Sequence, residues 1–208
     1  MQNKAMLRKW IRLLVLCFGI VVVLVYRNDD LVRVSADDSY DVWVGNTQVT
    51  SENKDNIPGK NGGYATYDSE TCSLTFYDFK DVDYTSGKAV YAKGDLNISG
   101  TAYFDGFSYE KGICSDGMLT VSGKITVKAE TEGLMAEKGI TIIGEASEID
   151  ISTSGQSSSG IISRRGTIEI KGGTINLNSG AEYSAGITAG TALISGGNIT
   201  ITACYGID

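Results

Sequence analysis

Gly112-Ile113-Cys114-Ser115-Asp116, Gly133-Leu134-Met135-Ala136-Glu137, Gly160-Ile161-Ile162-Ser163-Arg164, Gly186-Ile187-Thr188-Ala189 and Tyr205-Gly206-Ile207-Asp208 are one phrase written five times. Its glycine recurs at intervals of 21, 27, 26 and 20 residues, the range of solenoid and array repeats. Between the phrases apolar residues alternate, as in Leu119-Thr-Val121, Ile125-Thr-Val127, Ile140-Thr-Ile142, Ile149-Asp-Ile151, Ile168-Glu-Ile170, Ile175-Asn-Leu177 and Ile199-Thr-Ile201. A period of two marks half-buried strands. Gly123, Gly144, Gly172-Gly173 and Gly196-Gly197 separate these strands, where a sharp corner needs positive φ. Each unit thus reads as about three strands of no more than about five residues, with three corners.

So short a unit cannot bury its apolar side alone, but copies stacked at about 4.8 Å give every strand a parallel neighbour. The sequence therefore predicts an all-β chain folded as a right-handed parallel β-helix over residues 81–208. Superposing the units yields a column of small residues, Ala92, Ser115, Ala136, Ser163 and Ala189, as an inward row beside a tight corner requires. The next position carries Lys93, Asp116, Glu137 and Arg164, solvated surface charges worth about 0–1 kcal/mol each. In the same register Val90-Tyr91-Ala92-Lys93-Gly94-Asp95-Leu96-Asn97-Ile98 is an earlier coil. An antiparallel sandwich is the competing architecture; it predicts varied turn lengths and no recurring glycine-aliphatic phrase.

Residues 1–36 read as a signal peptide or membrane anchor. Lys4, Arg8, Lys9 and Arg12 precede an apolar run over residues 13–26, long enough for a signal core and short for a span. Val34-Ser35-Ala36 offers a small-residue cleavage site, and the expected location is secreted or at the cell surface, with membrane contact only through residues 13–26. These 36 residues hold six of the 18 Lys and Arg and two of the 25 Asp and Glu, which leaves 12 bases against 23 acids. That balance repels nucleic acid and anionic membranes. Cys72, Cys114 and Cys204 show no metal-ligand spacing, and Cys114, next to an inward aliphatic, should point outward.

Residues 37–80 depart from the repeat and read as an N-terminal β cap, the dissimilar unit that a solenoid needs to cover its first coil. Asp41-Val42-Trp43-Val44 and Gln48-Val49-Thr50 flank the turn Gly45-Asn46, and Tyr64-Ala65-Thr66-Tyr67 and Leu74-Thr75-Phe76-Tyr77 form a hairpin. Trp43, between valines, reads as core, with a sugar-stacking platform as the other reading. At the carboxyl end, the phrase Ile207-Asp208 stops inside a unit. The sequence accordingly predicts a chain that runs on, or an open last coil that frays or self-associates.

The stretch Val44-Gly45-Asn46-Thr47-Gln48-Val49-Thr50-Ser51, then Ala65-Thr66-Tyr67-Asp68-Ser69-Glu70-Thr71-Cys72-Ser73-Leu74-Thr75-Phe76, followed by the Gly-Ile and Ile-Ser-Gly-Gly coils, resembles secreted surface proteins of Firmicutes. It is similar in particular to a clostridial family of carbohydrate-binding β-helix proteins. The resemblance covers roughly residues 40–208 and rests on scaffold motifs. It implies a right-handed β-helix, extracellular binding of polysaccharide (cellulose or acidic, pectin-like glycans) and bound calcium, and it carries over no ligand residue.

Of enzyme chemistry little survives. The chain has no histidine, which removes His-based triads and metal sites. A glycosidase would draw two acids from Asp116, Glu137, Glu145, Glu148, Asp150 and Glu169; a calcium-dependent lyase would use Lys93, Lys138, Arg164 or Arg165. Sugar binding asks only for exposed aromatics and flat rows of polar side chains. The candidates are Tyr91, Tyr103, Phe107, Tyr109 and Tyr183, with Phe104 beside them; for calcium they are Asp105, Glu130 and Glu132, oxygen ligands only. Three functions follow: non-catalytic binding of polysaccharide, an adhesin or stalk segment, and a lyase or hydrolase.

Overall fold

The computed structural model describes residues 38–83, 87–105 and 109–208, so residues 1–36, where a signal peptide or anchor is expected, and Phe107 lie outside the described residues. Every regular element from Ser39 to Asp208 is a strand, and among the described residues no helix is long and apolar enough to cross a membrane. The chain forms a parallel β-helix. Its phrase residues stack as the repeat predicts: Val90 lies beside Ile113, Ile113 beside Leu134, Leu134 beside Ile161, Ile161 beside Ile187 and Ile187 beside Ile207.

Each coil has three straight segments. The first, at Lys88–Ala92, Lys111–Ser115, Glu132–Ala136, Ser159–Ser163, Ala185–Thr188 and Tyr205–Ile207, builds an eight-stranded sheet with the first two cap strands. The second and third both belong to a ten-stranded sheet. They are separate at Met118–Val121 and Lys124–Ala129, and continuous at Thr167–Ser179 and Thr191–Ala203, which run to 13 residues rather than the short strands the sequence suggests. The reason is the bend between them. Gly100, Gly123, Gly144, Gly173 and Gly197 have φ between +89° and +94°, and at Gly100, Gly173 and Gly197 the strand is re-aimed without being interrupted.

The inward rows hold Ile113, Leu134, Ile161 and Ile187; Leu119, Ile140 and Ile168; and Ile125, Ile149 and Ile175, none more than 1% exposed. Fully burying one such side chain is worth about 1.5–3 kcal/mol, and stacking repeats that gain coil after coil. The small column is explained by depth: Ala92, Ser115, Ala136 and Ser163 are all buried beside the first corner. At the third corner the core turns polar. Thr153 Oγ1 lies 2.8 Å from Ser158 Oγ and donates to Ser179 Oγ at 2.8 Å, while Ser184 donates to the Ser179 and Ala181 carbonyls. Thr153→Val strands two buried hydroxyls, so a loss of about 1–3 kcal/mol is expected, read as a lower urea midpoint; an unchanged midpoint would mean the ladder contributes nothing.

The cap joins both sheets. β1 (Ser39–Val44) pairs antiparallel with β2 (Thr47–Thr50) on one side and with Lys88–Ala92 on the other. β3 (Ile57–Pro58), β4 (Tyr64–Asp68) and β5 (Ser73–Lys80) form an antiparallel row, and β5 also pairs parallel with the strand Leu96–Asp105. Phe76, Phe79 and Phe104 pack at 5.0–5.7 Å between ring centroids and close the apolar end beneath the first coil.

Cys114 does sit on the outward row, between Tyr91 and Met135, yet it is fully buried. Burial pushes its thiol up to about 12, and thiolate is the reactive form. Brief alkylation of the native chain at neutral pH is expected to label Cys204 and spare Cys114, as peptide mapping would show; equal labelling would mean that this face opens.

Candidate functional site

Strand alternation decides which aromatics face solvent. Val42 and Val44 point into the core, as do Val90 and Ala92, so Trp43 and Tyr91, between them, point out. Antiparallel pairing of β1 with the first coil sets Trp43 directly beside Tyr91. Their rings stack with centroids 5.6 Å apart and planes 26° apart. The core reading of Trp43 is thus corrected: the flanking valines put it on the opposite face from themselves.

Polar groups fix this pair in place. Tyr91 Oη donates to Asp116 at 2.6 Å, one coil further on. Lys88 Nζ lies 3.7 Å above the Tyr91 ring, and Lys93 Nζ lies 5.2 Å from the Trp43 centroid while pairing with Asp41 at 2.8 Å. Trp43, Gly45, Lys88 and Tyr91 line a groove of about 260 Å³. Gly45 is at φ +59°, and a Cβ there would lie 2.2 Å from the Asp83 carbonyl oxygen, so only glycine fits at this edge of the groove. The hydrogen bond to the Asp116 carboxylate, then burial, pushes the Tyr91 phenol up to about 12. A raised phenol pKa stabilises the fold fully below the ordinary value of 10, and that contribution is lost as pH rises towards 12.

Further along this outer face the row runs through Cys114, Met135, Ile162 and Thr188 beneath a lattice of charges. Lys111 reaches Glu132 at 3.4 Å; Arg164 reaches Glu132 at 3.7 Å and Glu137 at 3.4 Å; Arg165 reaches Glu137 at 3.5 Å. The arginine pair of the lyase reading is therefore engaged with an acid. Of the glycosidase acids, Glu137 is held by the arginines, Glu148 by Lys124, Glu169 by Lys171, Asp150 by Asn176 and Asp116 by Tyr91, while Glu145 is exposed. The carboxylates whose pKa shifts, Asp68 and Asp105, both move down, opposite to what a general acid needs.

Tyr103 heads a second outer face, that of the third straight segments, followed row by row by Thr126, Asp150 and Asn176. Its hydroxyl donates to Asp105 at 3.0 Å, and Lys128 pairs with Asp105 at 2.6 Å. Those two bonds, Lys128 first, hold the Asp105 carboxyl below its usual range. Tyr183 is 65% exposed on a turn at φ +59°. Tyr109 is corrected outright: it is 1% exposed, its hydroxyl donates to Asp81, and it presents no ring face. Phe104, likewise, is core.

The calcium candidates do not assemble a site. Asp105 faces Lys128, and Glu132 faces Lys111 and Arg164. Glu130 is exposed, and no group of three or more acidic or thiol side chains among the described residues is placed to hold a metal ion. Calcium takes six to eight oxygen ligands, which these residues do not supply.

Residues 27–207 match a family model described as carbohydrate-binding domain-containing protein. No curated protein and no solved structure matches the chain.

Proposed function

Because the chain belongs to the family of carbohydrate-binding domain-containing proteins, we propose that it binds an extracellular polysaccharide without cleaving it, with the Trp43–Tyr91 pair as the sugar platform. The single observation that carries this is the outward stack itself, two large rings, Tyr91 held by Asp116, beside a groove that they line. Rings of this kind offer flat apolar area to the C–H face of a sugar, and their polar rims meet its hydroxyls. Asp41, Lys93 and Asp116 supply that rim with acceptors and donors. The ion pairs that hold Glu137, Glu148, Glu169, Arg164 and Arg165 favour binding over cleavage.

The test is a pull-down of the full chain on plant and microbial polysaccharides, run with and without a chelator. Retention on at least one polymer, unchanged by the chelator and without release of reducing or unsaturated sugars, is the expected result. Failure to be retained on any of them, or release of product, would overturn the reading.

A further inference from the structure

The cap carries a second pair of stacked rings. β4 and β5 place Tyr64 opposite Tyr77, with centroids 4.7 Å apart and planes 15° apart. The two are 41% and 45% exposed. Pro58 lies opposite Tyr64 on its other side and is exposed as well, so three flat groups form one row across β3, β4 and β5.

The backbone bends beside this row, opposite the coil corner at Gly100. Phe76 and Phe79 are both buried although they are three residues apart, because the register slips between them. The slip leaves Tyr77 and Asp78 outside, with Asp78 at φ +45°, a conformation that a non-glycine residue adopts rarely. Gly63 answers it: at φ +71°, a Cβ there would lie 2.1 Å from the Asp78 carbonyl oxygen. Bulges re-aim side chains next to sites, and disfavoured backbone collects there.

Charge narrows the ligand. Asp78 is exposed, and its carboxylate has no side-chain partner among the described residues, while nearby Lys60 is held by Asp83 at 3.2 Å. Lysines lie over Trp43, Tyr91 and Tyr103, but among the described residues none lies over Tyr64 or Tyr77. An uncovered ring pair beside a free carboxylate suits a neutral sugar, which stacks its C–H face and donates hydroxyls to the acid; an anionic sugar is repelled.

We propose that Tyr64, Tyr77 and Asp78 form a second glycan site, selective for uncharged sugar rings. It rests on the reading of the chain as a glycan binder but not on the Trp43 platform. Titration calorimetry of the full chain with cellotetraose, xylotetraose, mannotetraose and a galacturonate tetramer tests it. At least one neutral probe is expected to bind at two sites. The Tyr64→Ala/Tyr77→Ala variant removes one site and lowers affinity for the matching polymer about tenfold, the Tyr64→Phe/Tyr77→Phe variant keeps both, and Asp78→Asn admits the galacturonate. Because the alanine variant removes two rings from the cap, nitration of the wild-type chain gives an independent readout, with Tyr64 and Tyr77 protected at saturating probe. A single site abolished by Trp43→Ala, tyrosines left unprotected, or a dimer that the alanine variant dissolves would each overturn the second site alone. No binding by any probe would overturn the second site, and failure of retention on every polymer of the pull-down as well would overturn the glycan reading with it.

Discussion

Gly123→Ala is expected to lower stability by about 2–6 kcal/mol, while Gly94→Ala, one coil away, leaves it unchanged or slightly raised. Gly123 sits at φ +89°, and its missing Cβ would fall 2.2 Å from the carbonyl oxygen and 2.7 Å from the nitrogen of Gly100. Two penalties therefore add. A methyl group in that backbone region costs about 1–3 kcal/mol, and forcing it against fixed backbone costs about as much again. Gly100 has no room to retreat, because its own Cβ direction ends 2.0 Å from the Phe76 carbonyl oxygen. Gly94 has nothing within 4 Å of its Cβ direction and no positive φ, so alanine there gains from the unfolded state by up to about 1 kcal/mol. Against a total of about 5–15 kcal/mol, the first change is a large fraction. Urea unfolding of the two full-length variants, followed by circular dichroism, decides it; coincident midpoints would mean that the glycine bends are not what sets the coil geometry.

The same contrast shows what the sequence could and could not disclose. The stacking register was legible because identical positions meet: Ile113 lies on Leu134 and Leu134 on Ile161, the very residues the repeat aligns. The long strands were not, because Gly172-Gly173 reads as punctuation on paper, whereas at φ +90° Gly173 turns the chain within one continuous ladder. Surface charges were legible as a row but not as partners. Lys93 reaches back to Asp41 on the cap, and Asp116 accepts from Tyr91, since long side chains cross rows that Cα spacing alone would separate. Tyr109 was misplaced for a related reason. Nothing in Ser108-Tyr109-Glu110 distinguishes an exposed ring from one drawn inward by Asp81, 28 positions earlier. Trp43 was misread although the signal was present, because a period of two opposes each residue to its neighbours, and valines on both sides that face the core exclude a core position for the residue between them.

Trp43→Ala is expected to weaken glycan binding at this platform at least tenfold, and about thirtyfold if the tryptophan behaves as a binding hot spot worth about 2 kcal/mol. The ring is half-buried and, among the described residues, stacks on Tyr91 alone, so most of what it loses is contact area offered to the ligand rather than core packing. Trp43→Phe, which keeps a flat ring of smaller area, should fall between. Asp116→Ala separates the platform from its clamp: Tyr91 stays but its hydroxyl loses the 2.6 Å bond, and a few-fold loss of affinity follows as the ring gains freedom. Asp116→Asn retains an acceptor and should restore most of it. Because the Tyr91 phenol titrates only towards about 12, the platform keeps its charge state through neutral pH, and affinity should not change with phenol ionisation below about pH 10. Retention on the best polymer, measured for all four variants across pH 6–9 with unfolding midpoints alongside, tests the set. If Trp43→Ala bound as the parent does while Asp116→Ala did not, the acids and not the rings would be reading the sugar, and the site would have to be rebuilt around Asp41, Lys93 and Asp116.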